Sequence, residues 1–524
     1  MRGNPDTEQH DLKGNAKRER RLAKKLLIIS GGFIVFISLG ILYWNWSAAR
    51  EWQRLKSDLE AKGETFELQR LLPSAPADDL NYGAIAPLKE IALVIDDDPE
   101  KGEPATRRAA FPNITLKYDS SNREKLSLQS GVERGIAANL TLMADEYRKV
   151  GSLKMPANPG QSAADLLAGI DAATPSIASL CKDWNRPESQ FTPVLVKRTW
   201  FKPLISQTVP HFNAIQNAAK SLQLRAVAAA QANDGRAAAE SLLALSQLAR
   251  GMAQEPGLIA HLVFLTVTSM THAALWEGLN QRVFSAEQLR DLQSSLGRYD
   301  GRDTLLYALR TEMLAYVEAI YDLKSSRRKP GFTGINGEPA IIVGMAPNGW
   351  FDQNALHLVF HEWTYYIEPL KTSGLRAAAI KADSLTPLLG AADPPRIAFL
   401  VADMLLGSER SVIYRAALEQ SRRDLACVAV ALEQFFVAHH VYPTSLAELT
   451  PSILPSPPID VVSGQTVRYR PTADSRYLIW VPGFDGIDDG GKVSVDPKTR
   501  DIRSSVRRPD YKGDWVWQYT PVKP

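Results

Sequence analysis

Hydrophobic and polar positions change rhythm twice along this chain. From Leu26 to Trp46 the residues read LLIISGGFIVFISLGILYWNW without a charge, and at about 1.5 Å per residue such a helix matches the roughly 30 Å hydrocarbon layer of a bilayer. Between about 130 and 440 apolar residues return every three or four positions, which predicts helices. After Tyr442-Pro443 the period shortens toward two, so Val467–Arg470, Tyr477–Trp480 and Asp514–Tyr519 are predicted as short strands.

Turn and capping residues place several boundaries. Residues 50 to 70 predict a helix leaving the membrane, and Pro73, Pro76 and Pro87 break it. Leu222, Ala226, Ala229 and Ala230 form one apolar stripe, Asn233-Asp234-Gly235 closes it, and Ala237–Ala253 forms the next, a helical hairpin by turn chemistry. Ser285-Ala286-Glu287-Gln288 is a capping box with Phe284 set to staple onto Leu289. Gly331–Gly349 reads as a connection, Trp350–Leu370 resumes helical spacing, and Asp393-Pro394-Pro395 opens the section leading to a long helix from near Ser408 to His440. No fixed 34-residue period repeats the hairpin.

The expected fold class is mainly α: an N-terminal single transmembrane helix, an extracytoplasmic α-helical bundle or irregular helical hairpin array, and a small C-terminal α+β module. The expected segments are a basic cytoplasmic stretch at 1–25, the span at 26–46, a juxtamembrane helix and Pro-rich region at 47–125, a helical body at 126–407, and a long helix with a small antiparallel sheet at 408–524.

Composition adds location. Of 524 residues, 45% are hydrophobic and 23% charged, ordinary for a folded chain. The net charge of +3 resides near the start, leaving a nearly neutral body. That body lacks the broad positive field that phosphate backbones require, so no nucleic acid is expected as a partner. Lys17, Arg18, Arg20, Arg21, Lys24 and Lys25 precede the apolar run, and Tyr43, Trp44 and Trp46 follow it as an aromatic belt. This asymmetry predicts a cytoplasmic N-terminus at a bacterial inner membrane, membrane lipid around residues 26–46, and the bulk of the chain in the periplasm. A cleaved signal peptide is the competing reading, since Ser47-Ala48-Ala49 supplies small residues.

The last hundred residues carry the candidate chemistry. Ala431-Leu432-Glu433-Gln434 precedes Tyr442-Pro443-Thr444, followed by Leu446, Leu449, Pro458-Ile459-Asp460, Gly464 and Phe484-Asp485-Gly486-Ile487-Asp488-Asp489-Gly490-Gly491. This order resembles the globular head of the major type II secretion pseudopilin over roughly residues 420 to 520. The resemblance implies a calcium-stabilised assembly module rather than an active site. Asp485, Asp488 and Asp489 would be calcium ligands, with a further one from Asp501 or Asp514, consistent with calcium's demand for six to eight oxygens on a flexible loop. The competing reading is a solvated acidic turn. The chain departs from pseudopilins at the anchor: Gly32-Phe33 is followed by Ile37 where the mature helix should have Glu, so the pilin-assembly signal is missing. Ala75-Pro76-Ala77-Asp78-Asp79-Leu80-Asn81-Tyr82-Gly83-Ala84 also resembles a juxtamembrane segment of anchored extracytoplasmic proteins of planctomycete and verrucomicrobial type, which implies a location and no reaction.

Other motifs are incomplete. Gly486–Lys492 satisfies part of a phosphate loop, but Val493 replaces Ser/Thr and two aspartates would repel phosphate. His357 and His361 lie one turn apart with Glu362 beside them, yet Tyr365 stands where a zincin needs its second His. Cys181 and Cys427 have no metal-ligand spacing, and a disulfide between them is left open. The expected function is therefore a membrane-anchored scaffold or protein-binding protein of the cell envelope, with a protein partner there. Its rivals are an envelope hydrolase built from residues distant in sequence and an accessory of a type II secretion-like apparatus.

Overall fold

The structure is a computed structural model, and it describes residues 5–93, 111, 113–116, 127–128, 131–191, 210–327, 340–383, 399, 401–402, 406, 409–460, 462–493 and 512–520. The chain is mainly helical, with one small sheet among the described residues, and divides into two compact units, each discontinuous in sequence.

The first unit comprises Met1–Phe66, Val317–Phe360 and Pro394–Leu405. Its helix α1 (Pro5–Ala61) is continuous through the apolar run. The most apolar 18-residue window of this helix has a mean hydropathy of 2.4 and is 0% buried. Side chains from Lys24 to Tyr43 are all exposed, and burial starts at Trp44 and Asn45. Beyond these residues Ala48, Trp52 and Leu59 are buried, and the Trp52 ring meets Phe66 edge-on at 5.5 Å. The helix thus has a bare apolar stretch, long and apolar enough to cross a membrane, and a packed face beyond it.

The second unit comprises Glu67–Tyr316, His361–Asp393 and Leu406–Pro524. Short helices come first: α2 (Ala86–Leu93), α3 (Gly131–Arg134), α4 (Leu140–Val150), α5 (Ser162–Ala173) and α6 (Ile177–Lys182). The centre is α7 (Pro210–Gln231), α8 (Gly235–Ala253) and α9 (Leu258–Gln281). The expected hairpin is present: Asn233 takes φ 61° and the Asp234 carboxylate accepts the Ala237 amide at 2.9 Å, capping α8. Buried alanines such as Ala218, Ala219, Ala226, Ala229 and Ala238 let the helices approach closely. The apolar window in α9 has a hydropathy of 1.6 but is 78% buried, which makes it a core helix.

The Ser285 capping box opens α10 (Ala286–Leu296) with both of its hydrogen bonds, and Phe284 and Leu289 are both buried. Helix α11 (Gly301–Ser326) follows. Within the expected connection Gly331–Gly349 the first unit forms a short helix, α12 (Ala340–Met345), and α13 (Asn348–Glu362), which belongs to that unit up to Phe360, begins next. Trp363–Ile367 is a π-helical turn leading into α14 (Glu368–Asp383), which Gly374 breaks. Asp393-Pro394-Pro395 lies outside the described residues. The long helix is α15 (Glu409–His439).

Three strands complete this unit: β1 (Arg468–Thr472), β2 (Arg476–Val481) and β3 (Trp515–Trp517), antiparallel in the order β1-β2-β3. Arg470 pairs with Leu478 and Trp480 with Val516. Helix α15 packs on β2 and β3, so a long helix covers the sheet as the change of period predicted. Trp276 of α9 donates to the Gln518 carbonyl at 2.9 Å and stacks on Tyr519 at 5.6 Å.

Candidate functional site

The acidic loop after β2 is built by its own carboxylates. Gly486, Gly490 and Gly491 take φ of 71°, 73° and 81°, a region open to glycine, so the backbone can turn its amides inward. Asp514, fully buried at the foot of β3, accepts the Asp489 amide at 3.2 Å and the Gly491 amide at 2.7 Å. Burial pushes the Asp514 carboxyl up, and those two amides pull it back. Asp488 accepts from the Trp480 indole at 2.8 Å, the Gly490 amide at 3.0 Å and Arg468 Nε at 3.0 Å. The Trp480 bond is the chief reason its carboxyl titrates below its ordinary range. Asp485 accepts the Ile487 amide at 3.1 Å, and Asp489 is exposed.

The five expected calcium ligands are thus divided. Asp485 and Asp489 face solvent, Asp488 is paired with Arg468, Asp514 anchors the loop from beneath, and Asp501 lies outside the described residues. Among the described residues no three His, Cys, Asp or Glu side chains are grouped to hold a metal ion. A calcium ion here would draw on the exposed carboxylates, loop carbonyls and solvent.

The segment resembling the pseudopilin helix end is tied to the sheet through tyrosines. Residue His440 takes φ 58° and ends α15. Tyr442 then stacks on Phe436 at 4.8 Å and gives its hydroxyl proton to Glu433 Oε1 at 2.8 Å. Tyr469 of β1 donates to the Pro443 carbonyl at 2.7 Å. Asp460 is fully buried; it accepts from Ser421 Oγ at 2.5 Å and the Ser463 amide at 2.6 Å, pinning its turn to α15.

Beside this end of α15 runs a groove of about 190 Å³, with Leu279, Phe284, Leu289 and Phe436 as apolar walls and Glu433 and His440 at its polar side. Arg282, at φ 54°, lies over the Phe436 ring at 4.3 Å and donates to the Ser475 carbonyl at 2.7 Å. Burial holds Glu433 above the usual carboxylate range despite Tyr442, Arg476 and Arg282.

The histidine pair is used in ring packing. His357 stacks on Phe399 at 4.4 Å, and His361 lies against Tyr365 and Tyr366. Both cysteines are free, so the open disulfide is absent. Burial pushes Cys181 up to about 11 and Cys427 up to about 12, leaving protonated thiols.

Sequence reading missed two buried sets of titratable side chains. Arg422 on α15 binds Glu419 at 2.7 Å and Glu133, 289 residues away in sequence. His272 stands 3.5 Å from Glu419. Against the cost of burial, Arg422 and His272 hold Glu419 down to about 2. The other is a set of buried carboxyls, Glu312, Glu362 and Glu409, in which burial, then the charges of Glu409 and Glu312, push Glu362 up. Charged residues at buried positions of a helix are a usable signal, but their partners are far along the chain. Comparison with protein-family models, curated proteins and solved structures finds no match for this chain.

Proposed function

We propose that this chain is a membrane-anchored scaffold or protein-binding protein of the bacterial cell envelope, with its N-terminus in the cytoplasm and its bulk in the periplasm. The observation that carries the reading is α1: a bare apolar stretch preceded by a basic segment runs without interruption into a helix whose Ala48, Trp52 and Leu59 are buried. Lipid is the solvent that suits the first part, and the basic flank favours the cytoplasmic side. The C-terminal module supports the binding half of the reading, because its groove joins apolar walls to a few polar groups. Its resemblance to a pseudopilin head suggests assembly rather than catalysis, with calcium bound through Asp485 and Asp489 to stiffen the loop.

Alkaline carbonate extraction of membranes tests the anchor. The full-length chain, still carrying residues 1–46, should stay in the pellet; a shortened soluble chain would establish a cleaved signal instead. A photo-crosslinking side chain at Val437, 39% exposed at the groove, tests the binding surface in intact cells. A discrete protein adduct lost in Phe436→Asp is expected, and an adduct-free chain would contradict it.

A further inference from the structure

The second unit buries carboxylates from three helices, and two of them act electrostatically on the third. Glu312 of α11 is 5% exposed, Glu362 at the end of α13 is 2% exposed, and Glu409 at the start of α15 is 0% exposed. Glu312 is partly compensated: burial raises its carboxyl, but its Oε2 accepts the Leu258 amide at 3.0 Å, at the N-terminus of α9, where the helix dipole favours negative charge. Thr311 accepts the adjoining Gly257 amide at 2.9 Å, and Tyr316 donates to Glu312.

Glu362 is less compensated among the described residues. Its Oε1 is buried with no hydrogen-bond partner among them. The described charges acting on it are Glu409 and Glu312, both of its own sign. The other titratable groups here are Tyr316 from α11 and Tyr366 from the π-turn, with Arg410 acting on Tyr366. A buried anion beside two others is unfavourable, whereas a carboxylic acid avoids the charge and gains a donor.

We propose that Glu362, Glu312 and Glu409 form a buried proton-binding site that acts as a pH switch on the π-helical turn Trp363–Ile367. With its proton, Glu362 packs neutrally and the turn that follows it is held. When the pH rises the proton passes to solvent, a buried negative charge appears on Glu362, and the turn loosens. Glu362 is the hinge of this coupling because it is the last residue before the π-turn, an arrangement often found where helices must change state.

The sign follows from linkage. Burial, then Glu409 and Glu312, raise the Glu362 carboxyl well above its ordinary value, so the folded state holds a proton that the unfolded chain has released. Stability is greatest below the unfolded pKa and falls as pH rises toward the folded one.

Hydrogen exchange of the full chain in lipid nanodiscs, read on peptides covering residues 360–370 and corrected for intrinsic rates, tests this from pH 5 to 8.5. Wild-type protection should fall by at least about tenfold with rising pH, the equivalent of one pKa unit, while Glu362→Gln should stay protected throughout. Glu409→Gln removes a like charge and should move the wild-type transition to lower pH. Flat wild-type protection, a Glu362→Gln slope equal to wild type, or an unmoved transition in Glu409→Gln would each overturn the proposal.

Discussion

The backbone amide of Gly349 donates to Asn45 Oδ1 at 2.5 Å, joining the start of α13 to the part of α1 where partial burial begins. A Cβ at Gly349 would stand 2.9 Å from Asn45 Cα and 3.0 Å from the Trp44 carbonyl. Both are backbone atoms that cannot swing aside. Gly349→Ala should therefore lower stability by about 1–3 kcal/mol, as overpacking does. Gly344→Ala, with no atom within 4 Å, should leave the thermal midpoint unchanged or slightly higher.

Glu277 gives the second unit a pH dependence near neutrality. Its carboxylate accepts the Ala138 amide at 2.6 Å and Gln231 Nε2 at 3.4 Å, yet burial pushes it up to about 7. Because the folded pKa is raised, stability falls as pH rises from about 4.5 to about 7, by on the order of 3 kcal/mol in total. Denaturant melts should show Glu277→Gln gaining on wild type across that window, with no further gain above it.

The acidic loop separates two roles by mutation. Asp514→Ala strands the Asp489 and Gly491 amides and should cost about 2–4 kcal/mol with or without calcium. Asp485→Ala should lower the thermal midpoint in calcium and leave the calcium-free value nearly unchanged. Equal loss for Asp485→Ala under both conditions would make the loop a plain turn.

Arg422 holds two buried carboxylates, Glu133 and Glu419. Arg422→Met should cost about 3–5 kcal/mol by leaving them unpaired. Adding Glu133→Gln should recover part of that loss, measured as a coupling in a double-mutant cycle.

Local chemistry made much of this fold legible. The Asn233-Asp234-Gly235 turn, the Ser285 box and the alternation in Tyr477–Trp480 each act within a few residues, and the structure forms a hairpin, a cap and β2 there. The α12 helix was missed because Gly and Pro in Gly331–Gly349 outweighed a six-residue apolar run. Two units that each gather distant segments were beyond periodicity. In the acidic loop, sequence named Asp485, Asp488, Asp489 and Asp514 but not their separate jobs, since Arg468 and Trp480 reach Asp488 across the sheet. The Glu312, Glu362 and Glu409 cluster was illegible because three helices must pack before those carboxylates meet.

Topology tests the central claim most directly. With Cys181 and Cys427 replaced by Ala, single cysteines are placed at Lys13 and at Ile487, which is 59% exposed, and intact spheroplasts are treated with a membrane-impermeant maleimide. The account predicts labelling of Ile487→Cys in intact spheroplasts and of Lys13→Cys only after lysis. Labelling of Ile487→Cys only after lysis would contradict it.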